Sequence, residues 1–278
     1  MIFVIAAALS ITCLSLIMRY ATLNTKTLWG VILGNYLTAA TIMAGMVFIG
    51  GSWDVSPFTL GLGAVTGLTY AAGMYLNLTL MGKRGAAITS SMIQLSVLIP
   101  ITVSVFFYGE TIGSLQLLGI ILAVVSLPLL AAKPMHKLEF DREVIPMIIV
   151  TIIVVGFSQL SSKILVQAGL ESQNNFFFLS IFTSAALLVS PLALRNLGDI
   201  VGRDGLFGLG VGVFNVASNR FLLMALTTLP GAIVFPVSSA GSLLLVTISA
   251  IILFKEKVSR VNLVGILLTL AAVVLINV

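Results

Sequence analysis

Residues 105–120 read VFFYGETIGSLQLLGI, and residues 251–266 read IILFKEKVSRVNLVGI. Glu110 aligns with Glu256, Leu117 with Leu263, Gly119 with Gly265 and Ile120 with Ile266, each pair 146 positions apart. The register runs without a gap from Gly85-Ala86 and Gly231-Ala232 to Leu129 and Leu275, and it brings the polar pair Gln116 and Asn262 into line. Apolar letters recur by chance in a chain this rich in them. A matched acid and matched glycines in one register are not expected from composition alone. Duplicated units of this kind are characteristic of membrane carriers.

Composition sets the environment. Of 278 residues, 59% are hydrophobic and 8% charged, with a mean hydropathy of +1.19. A soluble domain carries about 25% charged residues, so this reads as an integral membrane protein with the lipid bilayer as its solvent. Cys13 is the single cysteine and lies in an apolar run, which excludes a disulfide framework and leaves little for a metal site. His136 is the single histidine and falls in a polar stretch, so no cofactor or metal is expected. The net charge of +5 reads as loop anchoring at one membrane face rather than nucleic-acid binding. Residues 1–20 lack a basic leader segment and read as a retained first span.

A bilayer core about 30 Å thick needs roughly 20 apolar residues per helix. Apolar runs between breaks predict ten spans, near 1–21, 29–49, 57–80, 86–108, 113–132, 144–167, 176–194, 205–227, 232–254 and 260–278. The polar stretch 133–143 divides a first repeat, 1–132, from a second, 144–278. Loops after the odd-numbered spans hold eleven basic residues: Lys26; Lys83 and Arg84; Lys133, Lys137 and Arg142; Arg195 and Arg203; Lys255, Lys257 and Arg260. Loops after spans 2, 4, 6 and 8 hold none. This bias puts the odd loops in the cytoplasm and both termini outside. Five is an odd number, so the second repeat enters the membrane upside down. The fold class expected is therefore all-α integral membrane, with ten transmembrane helices as two inverted five-helix repeats. Only the copy whose turn faces the cytoplasm gains lysines.

The two repeat ends, "GE…Q-L-x-G" within Gly85–Leu130 and "FKEK…N-L-x-G" within Gly231–Asn277, resemble the drug/metabolite transporter superfamily, in its ten-helix form with two EamA domains. The segment NYLTAA from Asn35 resembles a branch of the same family. The resemblance covers nearly the whole chain. It implies a multi-pass carrier of small solutes, here expected in a bacterial inner membrane, and a homodimer is compatible with it. It also implies cytoplasmic termini, opposite to the orientation that the charge bias predicts.

Besides Arg19 at the end of span 1, two cations fall inside predicted spans, Lys163 in span 6 and Arg220 in span 8. An ionisable group at membrane depth suggests function and faces the bundle interior. Gln159 and Ser162 share a helical face with Lys163; Asn215, Ser218 and Asn219 repeat that spacing beside Arg220. Lys163, near the end of its span, can also snorkel to the interface. Arg220, roughly 15 residues into its helix or about 22 Å along it, is expected to lie further from water. Tyr70, Asn77 and Gln94 are weaker candidates for the same cavity. The runs GLGAVTG (61–67) and GLGVG (208–212) lie in apolar helices and predict close helix approach rather than a nucleotide loop. Pro100 and Pro236 are expected to interrupt spans 4 and 9, as plain kinks or as hinges.

All nine acidic residues fall in loops or at helix ends. Glu110 and Glu256 predict helix-terminus partners, the carboxylate favouring the N-terminus of the following helix. Export of cationic drugs needs a carboxylate within the membrane, and the first helix has none. A membrane enzyme would need an acid, a metal cluster or an activated nucleophile at depth, so no enzymatic activity is expected. The reading is a secondary transporter for an amino acid or similar anionic or zwitterionic metabolite, with the two halves rocking against each other. Arg220, Lys163, Asn215, Asn219 and Gln159 would hold the solute. A multidrug or other metabolite exporter is the alternative, and a non-transporting scaffold a third class.

Overall fold

The computed structural model describes residues 1–51, 53–84, 95–131, 144–200, 202–254 and 259–276. The predicted linker 133–143, Gln94, Gly85 and Glu256 lie outside the described residues. Among those described there is no strand, and ten α-helices account for most of the chain. They are α1 (Ile2–Asn24), α2 (Trp29–Gly50), α3 (Pro57–Arg84), α4 (Leu98–Phe106), α5 (Ser114–Ala131), α6 (Val144–Gln167), α7 (Asn174–Arg195), α8 (Gly202–Leu226), α9 (Gly231–Phe254) and α10 (Arg260–Ile276). Six of them, α1, α2 and α6 to α9, are long and apolar enough to cross a membrane. Many leucines, isoleucines and phenylalanines on these helices point outward, among them Ile5, Phe48, Ile153, Leu187 and Leu267. Apolar side chains facing away from the core fit a lipid solvent. The architecture is that of an all-α, multi-pass membrane protein.

The dominant pairings join one half of the chain to the other. α2 packs on α7 and α8, α3 on α6 and α7, α1 on α8 and α9, and α5 on α10. The apolar side chains accordingly gather in two main cores. One unites α4, α5, α9 and α10 around Ile120, Leu127, Phe235 and Ile276, and reaches Val4 of α1 and Leu226 of α8. The other unites α2, α3, α6, α7 and α8 around Met43, Leu165, Phe178 and Phe182, with α1 added through Ala21, Val31 and Val211. The result is a six-helix body and a four-helix body, each drawing helices from both halves. The two bodies meet chiefly where α9 touches α1 and where α4 touches α6. The expectation of two halves rocking as units does not fit this interleaving.

Helix direction follows from small-residue contacts. Gly119, early in α5, faces Ile276 at the end of α10, and Gly265, early in α10, faces Leu130 at the end of α5. With the 146-residue offset these are the same contact made twice, and they require α5 and α10 to run antiparallel. The end of α2 meets the start of α7, where a Cβ on Gly50 would lie 3.9 Å from the Asn175 amide. Gly63 and Gly67 press α3 onto α7, and Gly208 and Gly212 press α8 onto α2, so the glycine runs serve close helix approach. The helix starts repeat too. The Gly113 N–H donates to Gln116 Oε1 at 3.1 Å, and the Ser259 N–H donates to Asn262 Oδ1 at 3.1 Å. Asn262 N–H returns a bond to Ser259 Oγ, completing a reciprocal cap.

The prolines differ from expectation in part. Pro236 lies inside α9, which continues unbroken to Phe254. Pro100 is the third residue of α4, just after the one-turn segment Leu95–Val97. A missing N–H in the first turn of a helix removes no intrahelical bond.

Candidate functional site

Tyr70 lies at the midpoint of α3, and its hydroxyl donates to Asn219 Oδ1 at 2.8 Å. Asn219 Nδ2 donates to Asn215 Oδ1 at 2.8 Å and to the Asn215 carbonyl at 2.9 Å, one turn back along α8. Asn215 Nδ2 donates to Asn35 Oδ1 in α2 at 3.0 Å. Four side chains on three apolar helices thus form one hydrogen-bonded chain. Inside a bilayer such groups need partners from the protein, because no water is available to supply them. Sequence reasoning placed Tyr70, Asn215 and Asn219 at the site but left Asn35 out. Its signal was an amide in a helix without other strongly polar side chains at that depth.

A second polar group lies on α6. Gln159 Nε2 donates to Ser96 Oγ at 2.9 Å, and the hydroxyls of Ser158 and Thr69 lie 2.8 Å apart. Asn77 follows Tyr70 by seven residues, on the same face of α3, and is half-buried.

Both cations lie towards one end of the fold. Arg220 is six residues from the last residue of α8, about 9 Å at 1.5 Å per residue. Measured from the start of α8 it looks deep; its nearer interface is the other one. Its Nη1 donates to Asn175 Oδ1 at 3.0 Å, in the first turn of α7, and touches Met46 Sδ. Among the described residues its partners are neutral. Asn175 also lines a cavity of about 290 Å³ at the junction of α2, α7 and the loop between α2 and α3, with Asp54, Gln173 and Phe176. Gln173 Oε1 fixes that loop by accepting from the Ser56 N–H at 2.9 Å and the Thr59 hydroxyl at 2.6 Å.

Lys163 is four residues from the end of α6, yet its side chain is only 4% exposed. Snorkelling is not what it does here. Its Nζ forms an ion pair at 2.5 Å with Glu110, itself 10% exposed. The same carboxylate accepts the Gly231 and Ala232 N–H groups, each at 2.9 Å. Glu110 therefore occupies a helix N-terminus, as a carboxylate at a turn should. The helix is α9, however, rather than the adjacent α5. Glu110 and Asp204 do sit in a turn and at a helix end, but Asp204 is fully buried and the Glu110 side chain is only one-tenth exposed. Loop position alone did not reveal a buried carboxylate.

No protein-family model matches the sequence. Over an alignment of 192 positions that covers 65% of this chain and 62% of the other, the sequence is 26% identical to a Haemophilus influenzae protein described as uncharacterized. The fold is similar to those of solved structures, among them a crystal structure with a TM-score of 0.77 over 99% of this chain and 94% of that one, at 12% identity. This likeness is one of fold.

Proposed function

We propose that this chain is a secondary transporter of the drug/metabolite transporter type, built from ten transmembrane helices as two inverted five-helix repeats. It would move a small anionic or zwitterionic organic solute, such as an amino acid, by alternating access. The reciprocal contacts of Gly119 and Gly265, the matched caps of α5 and α10, and the antiparallel pairs α2/α7 and α5/α10 support the inverted repeat. Antiparallel pairing of equivalent helices is what a two-fold axis in the membrane plane produces.

The observation that carries the functional reading is the chain Asn35–Asn215–Asn219–Tyr70, contributed by both repeats at membrane depth, with Arg220 next to Asn219. Such groups are expensive in a purely structural role. Lys163 is already neutralised by Glu110, which leaves Arg220 as the cation offered to a solute carboxylate or phosphate. The moving units in this reading are the six-helix and four-helix bodies.

A second reading, export of cationic compounds, gains one point from the buried Glu110 carboxylate. Counterflow into proteoliposomes separates the two. The panel would hold neutral and acidic amino acids, phosphorylated sugars and quaternary-ammonium dyes. Accumulation of an acidic or zwitterionic solute, abolished in Arg220→Gln, is the expected result. Dye movement indifferent to Arg220→Gln would replace this reading with the second.

A further inference from the structure

We infer that Lys163 and Glu110 form a latch between the six-helix and four-helix bodies, closed in this structure and parted whenever this end of the protein opens. The inference rests on the transporter reading and adds a gate to it.

The latch ends a seam. Gly156, Gln159 and Lys163 lie on one face of α6, at spacings of three and four residues. Gly156 lies against Ser96 and Ile99, with a Cβ there meeting the Ser96 carbonyl at 2.9 Å; Gln159 bonds Ser96; Lys163 meets Glu110. Every step of this face engages the segment Leu95–Glu110 of the four-helix body. The first two contacts are tight packing and one neutral hydrogen bond. The third is the charged contact, and it lies closest to the end of α6.

The two partners are held differently. Glu110 is fixed by its own body through the Gly231 and Ala232 N–H groups, and its N–H donates to the Ser104 carbonyl at 3.2 Å. Lys163 comes from the other body on a flexible four-carbon stem, with the Tyr108 ring 6.0 Å from its ammonium. When the bodies separate, each charge has somewhere to go. Glu110 keeps two N–H donors and the positive end of α9. Lys163 is about 6 Å of helix from the end of α6 and can extend its ammonium to water there. A buried pair whose members both keep partners after parting suits a reversible gate. A permanent staple would have no need of the second arrangement.

Ser104 reports the state of the latch without any transport assay. It is fully buried beside the latch: a Cβ on Gly231 would lie 2.5 Å from its Oγ and 3.5 Å from Lys163 Cδ of the other body. With Cys13, the single native cysteine, replaced by Ser, Ser104→Cys is exposed to a membrane-impermeant maleimide in proteoliposomes. Slow labelling is expected, with an acceleration of roughly tenfold or more in Glu110→Gln and again in Lys163→Met, since either change removes the charged contact that holds the two bodies together. Size-exclusion profiles matching the parent ensure that labelling reports opening of a folded chain. If Glu110→Gln fails that control, Lys163→Met decides alone. Unchanged labelling in a folded variant overturns the latch. Accelerated labelling with no solute moved by the parent chain would leave the latch standing and overturn the transporter reading.

Discussion

The ammonium of Lys163 and the carboxylate of Glu110 meet in a nearly dry pocket, where the same carboxylate also receives the first two N–H groups of α9. Removing one member of a buried pair costs about 3–5 kcal/mol because the survivor stays charged without a partner. Glu110→Ala is expected to lower the apparent Tm in detergent more than Lys163→Met, since it also strips two N–H groups of their acceptor. The exchanged variant Glu110→Lys/Lys163→Glu should fail to recover stability, although its charges still complement. A lysine cannot accept from Gly231 and Ala232. Full recovery would mean that the pair alone matters and the α9 N-terminus does not.

Asn175 offers a way to cancel Arg220 without touching it. Asn175→Asp places a carboxylate against the guanidinium 3.0 Å away. Under the anionic-solute reading, this should weaken apparent affinity at least tenfold while leaving the fold intact, as measured by counterflow and by thermal unfolding side by side. An unchanged affinity would remove Arg220 from the binding site.

Tyr70→Phe deletes one hydrogen bond from the mid-membrane chain. Side-chain hydrogen bonds between membrane helices average about 0.6 kcal/mol, so the stability loss should be small. A binding site would feel the change more strongly, because Asn219 Oδ1 loses its donor and reorients. A loss of transport out of proportion to the shift in Tm is the expected outcome; parallel small losses would make the chain structural.

Two glycines two residues apart in α3 should respond in opposite ways. A Cβ on Gly61 meets nothing within 4 Å, whereas one on Gly63 would come within 2.7 Å of the Phe177 carbonyl oxygen and of Ser180. Gly61→Ala should be neutral. Gly63→Ala should cost about 1–3 kcal/mol, the scale of overpacking in a tight interface, read as lower apparent Tm and yield.

These contrasts show what one dimension of sequence can hold. Apolar runs mark the spans because a bilayer tolerates little else over that length, and six of the helices described are long and apolar enough to cross one. Glycine spacing revealed close approach because helical geometry fixes which residues share a face. The exchange of partners between halves was invisible, since periodicity tells which face is apolar and never which helix will cover it. Glu110 and Lys163 are 53 positions apart and carry no mark of their meeting. Arg220 reads as deep from the start of its apolar run, yet it is six residues from the other end of α8. Asn35 went unclaimed because a single amide gives no pattern to read.

The interleaving has a consequence for how the chain is made. Helices α1 to α5 leave the ribosome first, yet their principal neighbours all lie beyond residue 143. Until then α5 has no α10 for Gly119 to rest against, and α2 has neither α7 nor α8. The early helices must wait in lipid, individually inserted but unassembled, and exposed to proteolysis and quality control. The first five helices produced alone should be short-lived, and the two halves produced as separate chains in one cell should rescue each other. Assembly comes late and in two steps: the six-helix body can close only once α8 has arrived, and the four-helix body only after α9 and α10.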